Sequence, residues 1–391
     1  MNDKKNKHIP LSVPFLVGDE SERVKECFDT GWVSTVGPQV TQFENEFSKL
    51  VNSPFSVAMS SGTAALHVAL RAVNVQSGDL VLVSNLTFVA PAFAIKYCGA
   101  DPIFIDANKK DWQMDVSELK NFLKMECELK AKSCVHKKTG RTIRALIPVH
   151  ILGLACDIES IVEVAHEFHL AVVEDTAEGL GVKVNGKMLG TFGDIGIYSF
   201  NGNKIITAGG GGMLVTSDSV KAKKARYLST QAKDDEIEYV HNDLGYNYRL
   251  NSLQAALGRA QLSHLEKFIE KKRKISRKYT EKLKVQPSIG LMPQQDNVST
   301  TDWLYTVLLP DSITLDQRKK LILDMRAQGV ESRPLWHPLY SLPVFKSPFS
   351  SRMPVSDELY RRAVSLPSSI GLSNEDQDIV INVFLNCLNS L

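Results

Sequence analysis

No stretch of this chain stays apolar for the ~20 residues needed to cross a bilayer, and the basic opening MNDKKNKHIP is not followed by the apolar core of a secretory signal. A membrane span is therefore not expected. A cytoplasmic location is, with a short mobile arm at the start. Charge of one sign is missing too: 46 Lys and Arg stand against 44 Asp and Glu, a formal net charge of +2. Nothing global draws such a chain to nucleic acid or to an anionic membrane surface, so any phosphate recognition must be local. Paired cysteines are also absent. Cys27, Cys98, Cys127, Cys134, Cys156 and Cys387 are scattered. Cys127, Cys134 and His136 lie close together, but zinc sites usually show tighter pairs and four ligands. Reduced, buried thiols are expected, and no metal.

What is present is alternation. A chain of 391 residues is long for one core. Apolar runs at Phe55–Met59, Leu80–Val83, Pro102–Asp106, Arg144–Val149, Leu170–Val173 and Ile195–Phe200 read as strands. Helical spacing fills Glu20–Thr30, Val40–Leu50, Leu66–Val73, Val116–Met125 and Ile158–His169. Strands alternating with helices predict an α/β fold with a mostly parallel sheet and right-handed crossovers. Residues 127–142 read as a basic surface excursion, and 231–243 as a mobile polar loop. Asn251 to about Leu283 reads as one long helix. Beyond it come strands at Thr301–Leu309 and Val330–Ser332 and helices at Leu315–Gln328 and Glu375–Leu388, a smaller α+β module. The expected division is 1–250, with an arm at 1–18, and 251–391.

The chemistry concentrates between Ala171 and Met213. One buried strand ends in Glu174 and Asp175; another leads through a polar turn to Lys204 and the glycines 209–212. An acid and an amine at neighbouring strand ends face the crevice where open α/β sheets bind ligands. A partly desolvated lysine is available as a nucleophile toward an aldehyde. A carboxylate nearby can hold a pyridinium nitrogen protonated. Those two groups are what pyridoxal phosphate asks of a protein. Upstream, Ser60-Ser61-Gly62-Thr63 joins a strand to a helix, and a helix N-terminus with a close backbone approach accommodates phosphate.

Asp175-Thr176-Ala177-Glu178, then Ser199-Phe200-Asn201-Gly202-Asn203-Lys204 and the glycine run, resemble the DegT/DnrJ/StrS sugar aminotransferases. The likeness extends from Ile9 to about His337. The stretches IPLSVPFLVGDE and DTGWVSTVGPQVTQFE resemble the branch acting on UDP-linked 4-keto-6-deoxy N-acetylhexosamines, which includes enzymes of the legionaminic acid route. The resemblance implies an aspartate-aminotransferase-like fold of type I, pyridoxal 5'-phosphate as cofactor and its pyridoxamine form as intermediate. It implies Lys204 and Asp175 as catalytic residues, with Gly62, Thr63 and Ser199 at the phosphate. Phe88 stacks on the ring or belongs to the core; Glu178 lies beside the phenolic oxygen or is a solvated loop acid. Asn247 reaches the cofactor phosphate of a neighbouring subunit, making a homodimer with shared sites. Trp32 either contacts the sugar nucleotide or packs under the next helix. Arg249, Arg333 and His337 are the remaining substrate candidates. The family often places an acid within the glycine run, and this chain has none.

The activity so implied is transfer of an amino group from glutamate to the C4 ketone of a nucleotide-linked 4-keto-6-deoxy sugar, UDP-4-keto-6-deoxy-N-acetylglucosamine in the first instance. Alternatives are a 3-keto-sugar aminotransferase, a sugar dehydratase using the same cofactor, or a non-catalytic regulatory protein on the same fold. Related dehydratases replace the lysine, commonly by histidine, so Lys204 points to amino transfer.

Overall fold

The computed structural model describes residues 7–235, 237–345 and 352–391. Helices α1 (Glu20–Thr30) and α2 (Pro38–Val51) precede strand β1 (Phe55–Met59). Then follow α3 (Gly62–Ala72), β2 (Leu80–Ser84), α4 (Ala90–Tyr97), β3 (Asp101–Ile105) and α5 (Val116–Glu126). Next come β4 (Cys127–Lys130), β5 (Ser133–His136), β6 (Thr142–Ile147), α6 (Ile158–Glu167) and β7 (Ala171–Asp175). Short strands β8 (Lys183–Val184) and β9 (Lys187–Met188) lead to β10 (Ile195–Ser199), β11 (Gly212–Thr216) and α7 (Ser219–Ser229). The chain continues with α8 (Ser252–Leu262), α9 (Leu265–Leu283), β12 (Val298–Ser299), β13 (Thr306–Leu308) and α10 (Leu315–Ala327). It ends with β14 (Arg333–Pro334), α11 (Pro354–Arg362), β15 (Ala363–Ser365) and α12 (Asn374–Asn389).

The main sheet runs β1-β11-β10-β7-β6-β2-β3. Its pairs from β10 through β7, β6 and β2 to β3 are parallel, and β11 runs antiparallel to both β1 and β10. Strands such as LVLVS are buried along their whole length, as parallel strands covered on both faces must be. Alternation then sorts side chains by face. Val81 and Val83 join Leu66 and Leu70 of α3 in one cluster, while Leu80 and Leu82 join Leu119 of α5 and Ile161 of α6 in the other. The first cluster continues without a break to Val364 of β15 and Phe384 of α12.

Several local expectations are corrected. Residues 127–142 are not a surface excursion but a hairpin added to the sheet. Ala131 and Lys132 both take positive φ, the twist-matched two-residue turn; β5 pairs with β6, and Cys127, Cys134 and His136 are buried. The long helix is two. The chain leaves α8 at Ser263, whose Oγ donates back to the Ala260 carbonyl at 2.6 Å, and restarts as α9. Within the polar segment expected at 231–243, Lys233 bridges His241 and the Asp234 N–H donates to the Val240 carbonyl at 2.8 Å.

Of the expected mobile arm, residues 1–6 lie outside the described residues, and the rest is docked. Ile9 is buried and bridges Val330, its N–H donating to the Gly329 carbonyl at 2.8 Å. Phe15 packs edge-on against Phe268 at 5.8 Å. Val330 thus pairs with the N-terminal segment, and the expected strand at Val330–Ser332 falls instead at Arg333–Pro334. The C-terminal sheet, β13-β15-β14, is centred on β15, three residues too short to show a period in sequence.

β10 approaches the loop before it so closely that a Cβ on Gly196 would overlap the Gly190 carbonyl. Gly196→Ala should therefore cost about 1–3 kcal/mol, the usual range for overpacking. Urea unfolding checks this; an unchanged midpoint would contradict the contact.

Candidate active site

Successive residues of a strand point to opposite faces, and β7 ends on two acids with different fates. The Glu174 carboxylate is fully buried and accepts the N–H groups of Gly190, Phe192 and Gly193 at 2.8, 2.6 and 2.6 Å, which makes it a structural tie. Asp175 faces the other way, into a cavity of about 320 Å³. Among the described residues its carboxylate accepts only the Ala177 N–H, at 3.0 Å. Burial pushes its pKa up to about 7, against the Ala177 bond and the Lys204 charge, which lower it, and with Glu178, which adds to the rise.

β10 lies beside β7 in parallel register, Ile197 opposite Asp175, so its C-terminal end opens onto the same cavity. A tight turn, closed by the Lys204 N–H to the Asn201 carbonyl at 3.0 Å, then brings Lys204 back over it. The Lys204 amine stands 3.3 Å from one oxygen of Glu178 and 4.1 Å from the centre of the Trp303 ring. The other Glu178 oxygen accepts the Leu152 N–H at 2.9 Å, fixing the carboxylate in place. Glu178 is therefore not a solvated loop acid.

Across the cavity, β1 runs into α3. Ser61 caps the helix by accepting the Ala64 N–H at 3.0 Å, leaving the turn at Gly62 and Thr63 to face the cavity. A Cβ on Gly62 would stand 3.0 Å from the Ser199 Cβ and 3.2 Å from its Oγ. A side chain there would press that hydroxyl aside by a few tenths of an ångström, so glycine favours its seat against the start of the helix, where an anion can be accommodated.

Eight of the expected site residues line one cavity: Gly62, Thr63, Phe88, Asp175, Glu178, Ser199, Lys204 and Arg333. Phe88 is 57% exposed, a wall and not a core residue. Burial disfavours the charge of Arg333, and Glu178 opposes that effect. Four expected residues lie elsewhere. Trp32 is 45% exposed and lies against Gly37, the N-cap residue of α2. Asn247 is exposed and bridges Thr230, while Arg249 pairs with Met59. His337 belongs to a separate hollow beside Tyr360, 4.8 Å between ring centres. The sequence reading missed Trp303, Thr87, Asn201 and Asn203. The two asparagines flank Gly202 just before Lys204 and could have been suspected. Trp303 comes from a distant segment with no local signal.

The cavity thus offers an amine for an aldehyde, a buried acid for a cationic ring nitrogen and a cradle for phosphate. Pyridoxal phosphate fits this donor set: its ring cation would restore the ionised form of Asp175 that burial alone disfavours. In protein free of cofactor, the raised carboxyl contributes stability that is full below about pH 4 and disappears as pH rises through about 7. Against Asp175→Asn, the wild type should therefore lose up to roughly 4 kcal/mol of relative stability over that window. Urea midpoints of both proteins, stripped of cofactor, measure it; a pH-independent difference would contradict the burial of Asp175.

The chain is similar to known proteins along nearly its whole length. The profile of the DegT/DnrJ/EryC1/StrS aminotransferase family matches residues 15–385. GDP-perosamine synthase of Escherichia coli O157:H7 is 37% identical over 369 residues, covering 94% of this chain and 95% of its own. The putative pyridoxal phosphate-dependent aminotransferase EpsN of Bacillus subtilis is 35% identical over 390 residues, covering 99% and 97%. A crystal structure of a DegT DnrJ EryC1 StrS aminotransferase from Brucella abortus superposes with a TM-score of 0.84 at 28% identity, covering 94% of each chain.

Proposed function

This chain belongs to the DegT/DnrJ/EryC1/StrS aminotransferase family, as a pyridoxal-phosphate-dependent sugar aminotransferase of fold type I, and from that premise we propose that it aminates the C4 ketone of a nucleotide-linked 4-keto-6-deoxy sugar. Glutamate is the amino donor in this reading, and UDP-4-keto-6-deoxy-N-acetylglucosamine the first candidate acceptor. The observation that carries amino transfer is the convergence of Lys204, Asp175 and Glu178 on one cavity with the Gly62–Thr63 helix start. Similarity to a protein named GDP-perosamine synthase favours a second reading of the nucleotide, GDP in place of UDP.

When bound, the cofactor supplies an electron sink that makes a C–H bond beside nitrogen acidic. The chain's own residues do the rest. Lys204 would hold the cofactor's aldehyde, and its free Nζ would hold and move a proton. Asp175 keeps the ring nitrogen protonated. Glu178, held by Leu152, places its carboxylate 3.3 Å from the lysine amine. Gly62, Thr63 and Ser199 orient the phosphate, and Phe88 and Trp336 provide apolar walls that limit water.

We further propose a dimer with shared sites, in which Asn247 reaches the neighbouring chain's phosphate. In support, Asn247 is exposed and outside its own chain's cavity, while His67, packed on Tyr246 at 4.6 Å between ring centres, has both ring nitrogens buried without a hydrogen-bond partner among the described residues. No helix among the described residues is long and apolar enough to cross a membrane.

Lys204→Ala should remove the visible absorbance of the cofactor–lysine linkage and lower turnover by at least the ~10²–10⁴ typical of a lost general base; retained turnover would overturn the role of Lys204. Protein in the amine form, offered UDP- and GDP-linked 4-keto and 3-keto sugars, should consume a 4-keto substrate, with NMR locating the new amine. Consumption of 3-keto sugars alone would overturn the regiochemistry. Mixing Lys204→Ala with Asn247→Ala subunits should restore activity to a fraction of the mixed dimers. No recovery, together with normal cofactor affinity of Asn247→Ala, would rule out the shared site.

A further inference from the structure

Three structural ties converge on Trp303, a residue that neither the sequence pattern nor the family comparison brings forward. Its indole N–H donates to the Asn203 carbonyl at 2.8 Å, the carbonyl immediately before Lys204. Its own carbonyl accepts the amine of Lys272 at 2.6 Å, and that amine also donates to the Ser368 carbonyl. The next residue of α9, Arg273, donates to the Thr300 carbonyl and the Ser299 hydroxyl, both at 2.7 Å, so one turn of helix grips the segment that ends at Trp303. From the sheet side, the Thr301 N–H donates to the Gly153 carbonyl at 3.1 Å. There a Cβ on Gly153 would stand 2.5 Å from the Trp303 nitrogen.

Lys272 is the unusual member. It is 2% exposed and, among the described residues, makes no ion pair with a carboxylate; burial pushes its pKa down to about 7. A Leu or Met of similar length would fill the same space without desolvating an amine. The return on that cost is a fixed carbonyl, and hence a fixed indole. The indole face in turn lies 4.1 Å from the Lys204 amine, and 6.0 Å from the Arg333 guanidinium.

We propose that Trp303 is a positioning residue for Lys204: its ring and the Glu178 carboxylate form a two-sided rest for the ammonium that the Lys204 amine becomes as it takes the proton from the donor's α-carbon. The rest is built by α9 and the Gly153 loop, not by residues near Lys204 in sequence. An ammonium over an indole face is favoured by the ring quadrupole. A shape-filling side chain without a π face keeps the packing but not that attraction. This inference rests on the amino-transfer reading above, since it needs Lys204 to be a proton carrier.

The test compares Trp303→Leu with Trp303→Phe in the cofactor-loaded enzyme, reacting with ordinary and α-deuterated glutamate in the half-reaction. Trp303→Leu should slow the half-reaction about tenfold, the scale of a desolvated cation–π contact. It should also raise the α-deuterium isotope effect, because proton removal becomes the slow step, while glutamate affinity stays within about twofold. Trp303→Phe keeps a π face and should stay within about threefold of wild type, with an unchanged isotope effect. If the leucine variant does not fold by circular dichroism, Trp303→Met takes its place with the same expectation. Equal rates and isotope effects in wild type and the aliphatic variant overturn the inference alone, as does a phenylalanine variant as slow as the aliphatic one. A wild type that takes no amino group from any amino acid overturns the functional reading and this inference with it.

Discussion

The structure depends on one constraint: a carboxyl group buried at the end of β7 with a single backbone donor. A positive charge brought to Asp175 favours its ionised form, which burial disfavours by holding the pKa up to about 7 even with Lys204 nearby. The rest of the cavity is arranged around that need. The parallel register of β10 on β7 puts Lys204 within the same space, and the Ser61–Gly62 turn puts a helix N-terminus opposite. Each of the three groups matches one part of the cofactor, and none of them suffices without the others.

Glu174 shows by contrast what Asp175 is not. It is the adjacent residue and more deeply buried, yet three amide donors satisfy it and it never meets the cavity. Strand alternation turns one acid into a structural tie and its neighbour into a reactive group. Glu178 is a third case. It is anchored by Leu152, a residue held at positive φ, and its free oxygen faces the lysine. The electrostatics of the site are thus set as much by backbone amides as by side-chain charge.

The C-terminal elements are not a separate lid laid on the sheet. One apolar cluster joins both, the N-terminal segment is stitched to Val330, and the segment ending at Trp303 is held between α9 and the Gly153 loop. The amine of Lys204 therefore senses the packing of residues far from it in sequence. A change that shifts α9 acts on the site through Trp303 without touching any residue that meets substrate.

The sequence by itself determined six of the main-sheet strands and their order along the chain, though not the antiparallel β11, and the local motifs: Asp175 to Glu178, Ser199 to Lys204, Ser61 to Thr63. Those are legible because apolar period, glycine and capping residues act over a few neighbours. It missed the hairpin at residues 127–142, the break between α8 and α9 and the three-residue β15, where tertiary pairing overrides weak local signals. Tertiary structure alone decided that Arg333 enters the cavity and His337, four residues on, does not, and that Trp303 covers the lysine. Such contacts join segments a hundred residues apart, and their energy comes from packing and buried hydrogen bonds that exist only once the chain has closed on itself.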